Sequence, residues 1–261
     1  SMITTDQCGR IVEIPDTPKR IVSLVPSQTE LLFDLGLRDE VLGITKFCIH
    51  PDEWFRSKHR VGGTKNVNTD LIDDLQPDLI LANKEENVKE QIEGLAKKWP
   101  VWVSDINNLE EALAMILQIG QLTGKFQQAD HLQNQIRTAF RSLIVKDKKP
   151  RTAYLIWKEP YMTVGGDSFI HAMLEHAGLD NVFKEQQRYP ETNPDELRSL
   201  NCEVVLLSSE PYPFREKQIE ELYKQLPGTQ ILLADGEMFS WYGSRLLQAP
   251  AYFQKLREMI K

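Results

Sequence analysis

Aromatic side chains recur in this 261-residue chain just where an apolar run stops. Phe47 follows the run Val41 to Thr45. Trp157 closes the run that starts at Tyr154, with Tyr161 shortly after. Phe239, Trp241 and Tyr242 crowd the stretch after Ile231 to Leu233, with Arg245 next to them. Rings on strand-end loops suit a flat, largely apolar ligand, and a guanidinium beside them suits a carboxylate or phosphate. Lys84, in a second strand-end loop, offers another cationic anchor. Phe239 and Tyr242 have a plainer reading too, as anchors of the terminal helix. His50, three residues from Phe47, has the chemistry for an axial contact to a metal carried by the ligand.

The residue types that would do covalent chemistry are not assembled. Ser27 has no GxSxG around it, and Gly165-Gly166-Asp167 is neither GxGxxG nor followed by the acid that fingerprint needs. His171 and His176 are five apart on one helical stretch, too far around to chelate together. His59 and His131 are isolated. Cys8, Cys48 and Cys202 are an odd number without metal spacing. No catalytic residue, no resident metal and no cofactor is therefore expected. An enzyme would need a titratable cluster that the sequence does not offer.

The elements that position these loops come in two copies. RIVSLVPSQTELLFDLGL, residues 20 to 37, reads as a doubly buried strand stopped by Pro26 and then a helix ended by Gly36. Ser27 with Glu30 three residues on is expected to form a capping box at that helix start. Residues 151 to 179 repeat the plan. Residues 69 to 81 then lie on 194 to 207 at a constant offset of 125, with Asp70 on Asp195 and Leu75 on Leu200. Each second pair ends in an acidic loop, NKEEN (83 to 87) and SSEPYP (208 to 213), with Glu85 on Glu210. Alternating strands and helices predict parallel βαβ units, which place ligands outside the carboxyl ends of the strands. In the first lobe the loops at those ends are 26 to 28, 46 to 50, 63 to 66 and 83 to 87, which makes Pro26 and Ser27 candidates as well.

The fold class read from this pattern is α/β, two Rossmann-like lobes joined by one long helix. The expected divisions are an N-terminal lobe over 1–124, a connecting helix over 125–147 and a C-terminal lobe over 148–261. The run from 125 to 145 carries apolar residues at helical spacing without Pro or Gly, so a stiff connection is expected. Residues 3 to 19 read as an edge hairpin turning at Cys8-Gly9-Arg10.

A net charge of −7 and the lack of a basic patch argue against nucleic acid as a partner. No apolar run approaches the length that spans a bilayer. The first ten residues have no signal-peptide pattern. With Met2 as the natural start the protein is expected in the cytoplasm; with a leader removed, outside it.

The opening segment, the GITKF loop, LQPDLIL, the joining helix and WKEPYMTVGGDS together resemble the helical-backbone substrate-binding proteins of ABC importers that handle metal chelates, within which the corrinoid binders are nearest in kind. The similarity covers nearly the whole chain. It implies a periplasmic or membrane-associated, extracytoplasmic monomer of the class III binding-protein type, holding a corrinoid, haem or ferric siderophore in a cleft and docking on a membrane permease. Phe47 and Trp157 match ligand contacts in kind. Met162 stands where a Phe is expected, and Thr64 and Asn83 where the cobalamin binder has tryptophans. The resemblance also assigns Asp70 and Asp195 to permease docking. The residues themselves allow a plainer role, since acids in a first helical turn are favoured by the helix dipole. A cytoplasmic binder of the same ligands, uncoupled from a permease, is the alternative.

Overall fold

The computed structural model describes residues 1–144 and 146–261. The chain divides into two compact units. One comprises Ser1–Ile106, Glu110–Gln135 and Tyr242–Arg245; the other comprises Asn107–Leu109, Ile136–Trp241 and Leu246–Lys261. A short segment late in the chain, Tyr242–Arg245, thus belongs with the first unit.

The first unit opens with the expected hairpin, β1 (Met2–Thr5) against β2 (Ile11–Ile14). It continues as β3 (Ile21–Ser23), α1 (Pro26–Asp34), β4 (Val41–Ile44), α2 (Asp52–Ser57) and β5 (His59–Arg60). Then come α3 (Thr69–Leu75), β6 (Leu79–Asn83), α4 (Lys89–Ala96), β7 (Val101–Ser104) and α5 (Leu109–Leu122). Its parallel sheet has the order β5-β4-β3-β6-β7. Val22, Leu24, Ile80, Ala82, Val101 and Val103 face the apolar sides of α3 and α4. The alternate residues Ile21, Leu79, Leu81 and Trp102 are equally buried, which is why these strands read as continuous apolar runs.

Helix α6 follows over Phe126–Arg141, shorter than the run expected over 125–145 and the connection expected over 125–147. Its end tightens, the Leu143 N–H bonding Phe140 O three residues back, ahead of the cationic stretch that leads to Pro150. Val145, inside both expected ranges, lies outside the described residues.

The second unit contains β8 (Arg151–Leu155), β9 (Tyr161–Met162), α7 (Phe169–His176), β10 (Asp180–Asn181) and β11 (Glu191–Thr192). It continues with α8 (Pro194–Ser199), β12 (Val204–Ser208), α9 (Glu216–Tyr223), β13 (Gln230–Ala234), α10 (Gly236–Ser240) and α11 (Ala249–Met259). Its parallel sheet runs β10-β8-β12-β13, the spatial order of β4-β3-β6-β7 in the first unit. The repeat read from the sequence is therefore a repeat of topology: Asn83 pairs with Ser104 across β6 and β7, and Ser208 with Ala234 across β12 and β13.

Two local expectations change. Ser27 does not cap α1: Pro26 takes the first helical position and Val25 is the capping residue, without a side-chain bond, so Ser27 lies inside the first turn. Phe239 lies on a short helix, α10, rather than a loop, because the Asp235 carboxylate accepts the Glu237 N–H and starts a helical turn. Gly165 and Gly166 serve close packing. A Cβ on Gly166 would stand 2.0 Å from Lys184 O, so the segment after β11's partner strand β9 admits no side chain there.

Candidate functional site

In each unit the loops at the carboxyl ends of the strands carry most of the candidate residues. After β4 the chain turns through Thr45 and Cys48, both buried, with the Thr29 and Thr45 hydroxyls 3.2 Å from Cys48 Sγ. Burial pushes the Cys48 thiol up. That anchored turn lifts Phe47 out: the ring is 51% exposed, with Lys46 Nζ 5.3 Å from its centroid. Gly63 provides its floor, for a Cβ there would stand 3.2 Å from Phe47 Cε2. His50, partly exposed, begins the cis bond to Pro51. Thr64 is partly buried and its carbonyl accepts from Asn87 Nδ2 at 3.0 Å.

Asn83 is buried and used up by its own loop. Its Oδ1 accepts the N–H groups of Glu85 and Glu86, and its Nδ2 donates to Ser104 Oγ, which in turn donates to Gln28 Oε1 at 2.6 Å. Asn83, expected as a ligand contact, braces its own loop, and the only polar atom of this chain of bonds left without a partner among the described residues is Gln28 Nε2. Lys84 is exposed and 3.8 Å from the Asp105 carboxylate. It lines a pocket of about 590 Å³ with Cys8, Arg10, Asn87 and Lys89, between the hairpin turn and α4.

Tyr242–Arg245 packs on α1. The Tyr242 N–H donates to Ser27 Oγ at 3.2 Å, its hydroxyl bonds Glu86, and Ser244 bonds Asp34. Burial and the Glu86 charge push the Tyr242 phenol well up. Gly243 meets the Ser27 carbonyl so closely that a Cβ would lie 2.4 Å from its oxygen. Arg245 forks onto Glu30, Nε to Oε1 at 3.1 Å and Nη2 to Oε2 at 2.6 Å. Ser27, Tyr242 and Arg245, expected to meet ligand, hold this segment in place, and Pro26 is buried beside them.

In the second unit Trp157 stands 41% exposed beyond β8. It makes a T-shaped contact with Tyr212, the ring centroids 5.5 Å apart. Tyr161 and Met162, on β9, are half-buried; Met162 exchanges backbone bonds with Ile156 and Trp157, and Tyr161 leans on the core. Lys158 Nζ bonds Glu221 at 2.7 Å. Phe239 is core: fully buried, with ring centroids 5.0 Å from Tyr154 and 4.8 Å from Phe253. Trp241 is only 7% exposed, and its indole N–H donates to Glu210 Oε1 at 3.0 Å. Both rings, expected at the ligand, are buried against partners elsewhere in the second unit. Tyr212 and Glu210 were not singled out as site residues; the only sequence signal was their loop, SSEPYP, in the position equivalent to NKEEN.

Asp70 and Asp195 each lie in the first turn of a helix capped by an asparagine, Asn68 on α3 and Asn193 on α8. Both are exposed, and Asp195 bonds Arg198 one turn on at 2.9 Å. Among the described residues no group of three or more His, Cys, Asp or Glu side chains is placed to hold a metal ion, and no helix is long and apolar enough to cross a membrane.

Residues 21–231, most of the chain and all the strand-end loops but the last, match the periplasmic binding protein family. The chain belongs to that family. Membership assigns it to transport, as a binding component, and not to catalysis. Among its relatives are the ABC transporter substrate-binding lipoprotein YvrC of Bacillus subtilis, 28% identical over 213 residues, which are 77% of this chain and 67% of that protein. The vitamin B12-binding protein of Yersinia pestis is 24% identical over 195 residues, 73% of this chain and 69% of its own. The solved vitamin B12 binding protein BtuF of Vibrio cholerae shares the fold at a TM-score of 0.77 and 20% identity, over 94% of this chain and 98% of its own. The haem-binding protein RhuT of Roseiflexus does so at 0.75 and 20% identity, over 91% and 98%. The α/β fold with parallel sheets is thus that of the class III binding proteins.

Proposed function

We propose that this protein is the substrate-binding component of an ABC importer and that its cargo is a metal chelate with a flat apolar face, a corrinoid first. The observation that carries the reading is the pair of exposed rings, Phe47 and Trp157, each lifted past the end of a parallel strand in a member of the periplasmic binding protein family. Such rings are the usual means of holding an extended π or macrocyclic surface. The names of relatives, a lipoprotein of ABC transport and vitamin B12-binding proteins, support the same class. The chelate is cargo, and the protein carries no resident cofactor. It works outside the cytoplasm as a monomer, has no nucleic-acid partner, and presents Asp70 and Asp195 to a permease.

Haem-binding and iron-binding neighbours favour a second reading of the cargo, haem or a ferric siderophore. One titration decides between them. Cyanocobalamin, cobinamide, haem and ferrichrome are each added while tryptophan fluorescence is followed. Saturable quenching by one of them at micromolar concentration or below is expected. Quenching by none overturns the chelate reading, whether the binder works outside the cytoplasm or within it.

A further inference from the structure

Past the end of β12 a single carboxylate is held with unusual care. Glu210 Oε1 accepts two hydrogen bonds, from Trp241 Nε1 and from Ser240 Oγ, each at 3.0 Å. The Ser208 hydroxyl donates to the Glu210 carbonyl at 2.6 Å, and the buried Tyr154 hydroxyl donates to Ser208 Oγ at 3.0 Å. Gly236 leaves the room: a Cβ there would stand 2.6 Å from Glu210 Cγ and 2.5 Å from Ser208 Oγ. Yet Oε2 receives no hydrogen bond and faces no cation among the described residues.

Three carboxylates that brace the fold use both oxygens. Asp6 takes Cys8 and Arg10 N–H groups on Oδ1 and the Val103 N–H on Oδ2; Asp78 takes Lys19 and Arg20; Glu30 takes both prongs of Arg245. Glu210 is built differently, with one oxygen fixed and the other unused. The same loop brings in the aromatic ledge. The Tyr212 N–H donates to Ile156 O at 3.2 Å, which lays the loop beside the residue before Trp157, and the two rings touch.

We propose that Glu210 is the specificity-determining acceptor of the ligand site, taking an N–H donor from a ligand seated on Trp157 and Tyr212. It would select chelates edged with amide or amine groups over those edged with carboxylates. This rests on the proposed function and deepens it. Corrinoids carry primary amides around the macrocycle, whereas haem carries two propionates that would face the Glu210 charge and those of Asp235 and Glu237 nearby. Burial, reinforced by Glu237 and Asp235, pushes the Glu210 carboxyl up.

The test is Glu210→Gln, because the amide oxygen still accepts from Trp241 and Ser240 while an NH2 group replaces Oε2. Wild type, Glu210→Gln and Trp157→Ala are titrated with cobinamide, cyanocobalamin and haem. Glu210→Gln is expected to lose roughly tenfold or more in affinity for the two amide-bearing corrinoids, since donor would then face donor, and to hold or gain affinity for haem. Its Tm at pH 7 is expected at or above wild type, because a desolvated charge is gone. That gain should fade as pH falls through the raised carboxyl pKa, where the wild-type group is neutral as well. If Glu210→Gln keeps the wild-type order and ratio of affinities while Trp157→Ala weakens them all, the assignment of Glu210 is wrong and the proposed function stands. Wild-type preference for haem over both corrinoids has the same consequence. Saturable binding of none of the three overturns the assignment of Glu210, and a failure of ferrichrome as well overturns the proposed function.

Discussion

Trp157 and Trp241 carry the same side chain to opposite ends. Trp157 is 41% exposed and packs in a T-shaped contact with Tyr212. Removing it should leave the core alone and cost ligand contact worth roughly 1.5–3 kcal/mol, so Trp157→Ala is expected to weaken the best chelate about tenfold or more with an unchanged Tm. An unaltered dissociation constant in the fluorescence titration would remove Trp157 from the site. Trp241 is buried and acts through Glu210, so Trp241→Phe is expected to keep most of the packing while releasing the carboxylate. Its effect should track that of Glu210→Gln on the corrinoid-to-haem ratio and be larger than that of Trp157→Ala on Tm. The sequence made both rings visible as aromatic residues near strand ends. It did not show which one was buried, because that depends on Glu210, 31 positions before Trp241, and on contacts no local pattern encodes. The same holds for Tyr242 and Arg245, whose partners Ser27 and Glu30 lie 215 positions away.

Elements were far easier to read than their joints. The doubly buried strands stood out as apolar runs, and α3 and α8 stood out through the constant offset that aligns them, because a parallel sheet covered on both faces leaves no polar alternation to confuse the pattern. Cap positions were less legible: at the start of α1 Pro26 and Ser27 compete for the same signal, and Pro at the first helical position wins. The strap over α1 shows what such joints contribute. Glu30 and Arg245 are 11% and 14% exposed and form a bidentate pair, so Arg245→Ala strands a carboxylate that water reaches poorly. A loss of about 3 kcal/mol is expected, less whatever residual solvent recovers, read as a lowered Tm that Arg245→Ala/Glu30→Ala partly restores. Gly243→Ala should also lower Tm, by forcing the strap off the Ser27 carbonyl. At the other edge of the sheet the hairpin turn caps β7 through Asp6, whose carboxylate collects three backbone N–H groups including that of Val103. Asp6→Ala leaves those donors without an acceptor and is expected to cost on the order of 2–4 kcal/mol in chemical denaturation, whereas Asp6→Asn, which keeps one acceptor oxygen, should cost less.

At the scale of the whole molecule the repeat is the organising fact, since β4-β3-β6-β7 and β10-β8-β12-β13 are one plan used twice. It puts Asp70 and Asp195 in the same turn of equivalent helices, each after a capping asparagine. Neither is required by its surroundings. Asp70 is exposed, and the bond from Asp195 to Arg198 joins two side chains that are 92% and 56% exposed, a kind of pair that contributes little in water. First-turn acids gain about 0.3–1 kcal/mol from the helix dipole, too little to account for two solvent-facing carboxylates as stability devices. Two like charges at repeated positions suit a partner that itself presents two equivalent basic sites, as a membrane permease built from paired subunits does. Asp70→Lys/Asp195→Lys is therefore expected to bind the best chelate as wild type does, with Tm lowered by no more than a few degrees, and to lose stimulation of permease ATPase activity in proteoliposomes. Rim charges act mainly through association, so raising the salt concentration should weaken wild-type coupling in the same direction and leave the double variant unmoved. Intact ATPase stimulation by the double variant, together with a clearly lowered Tm, would return both residues to helix electrostatics and move the docking surface elsewhere.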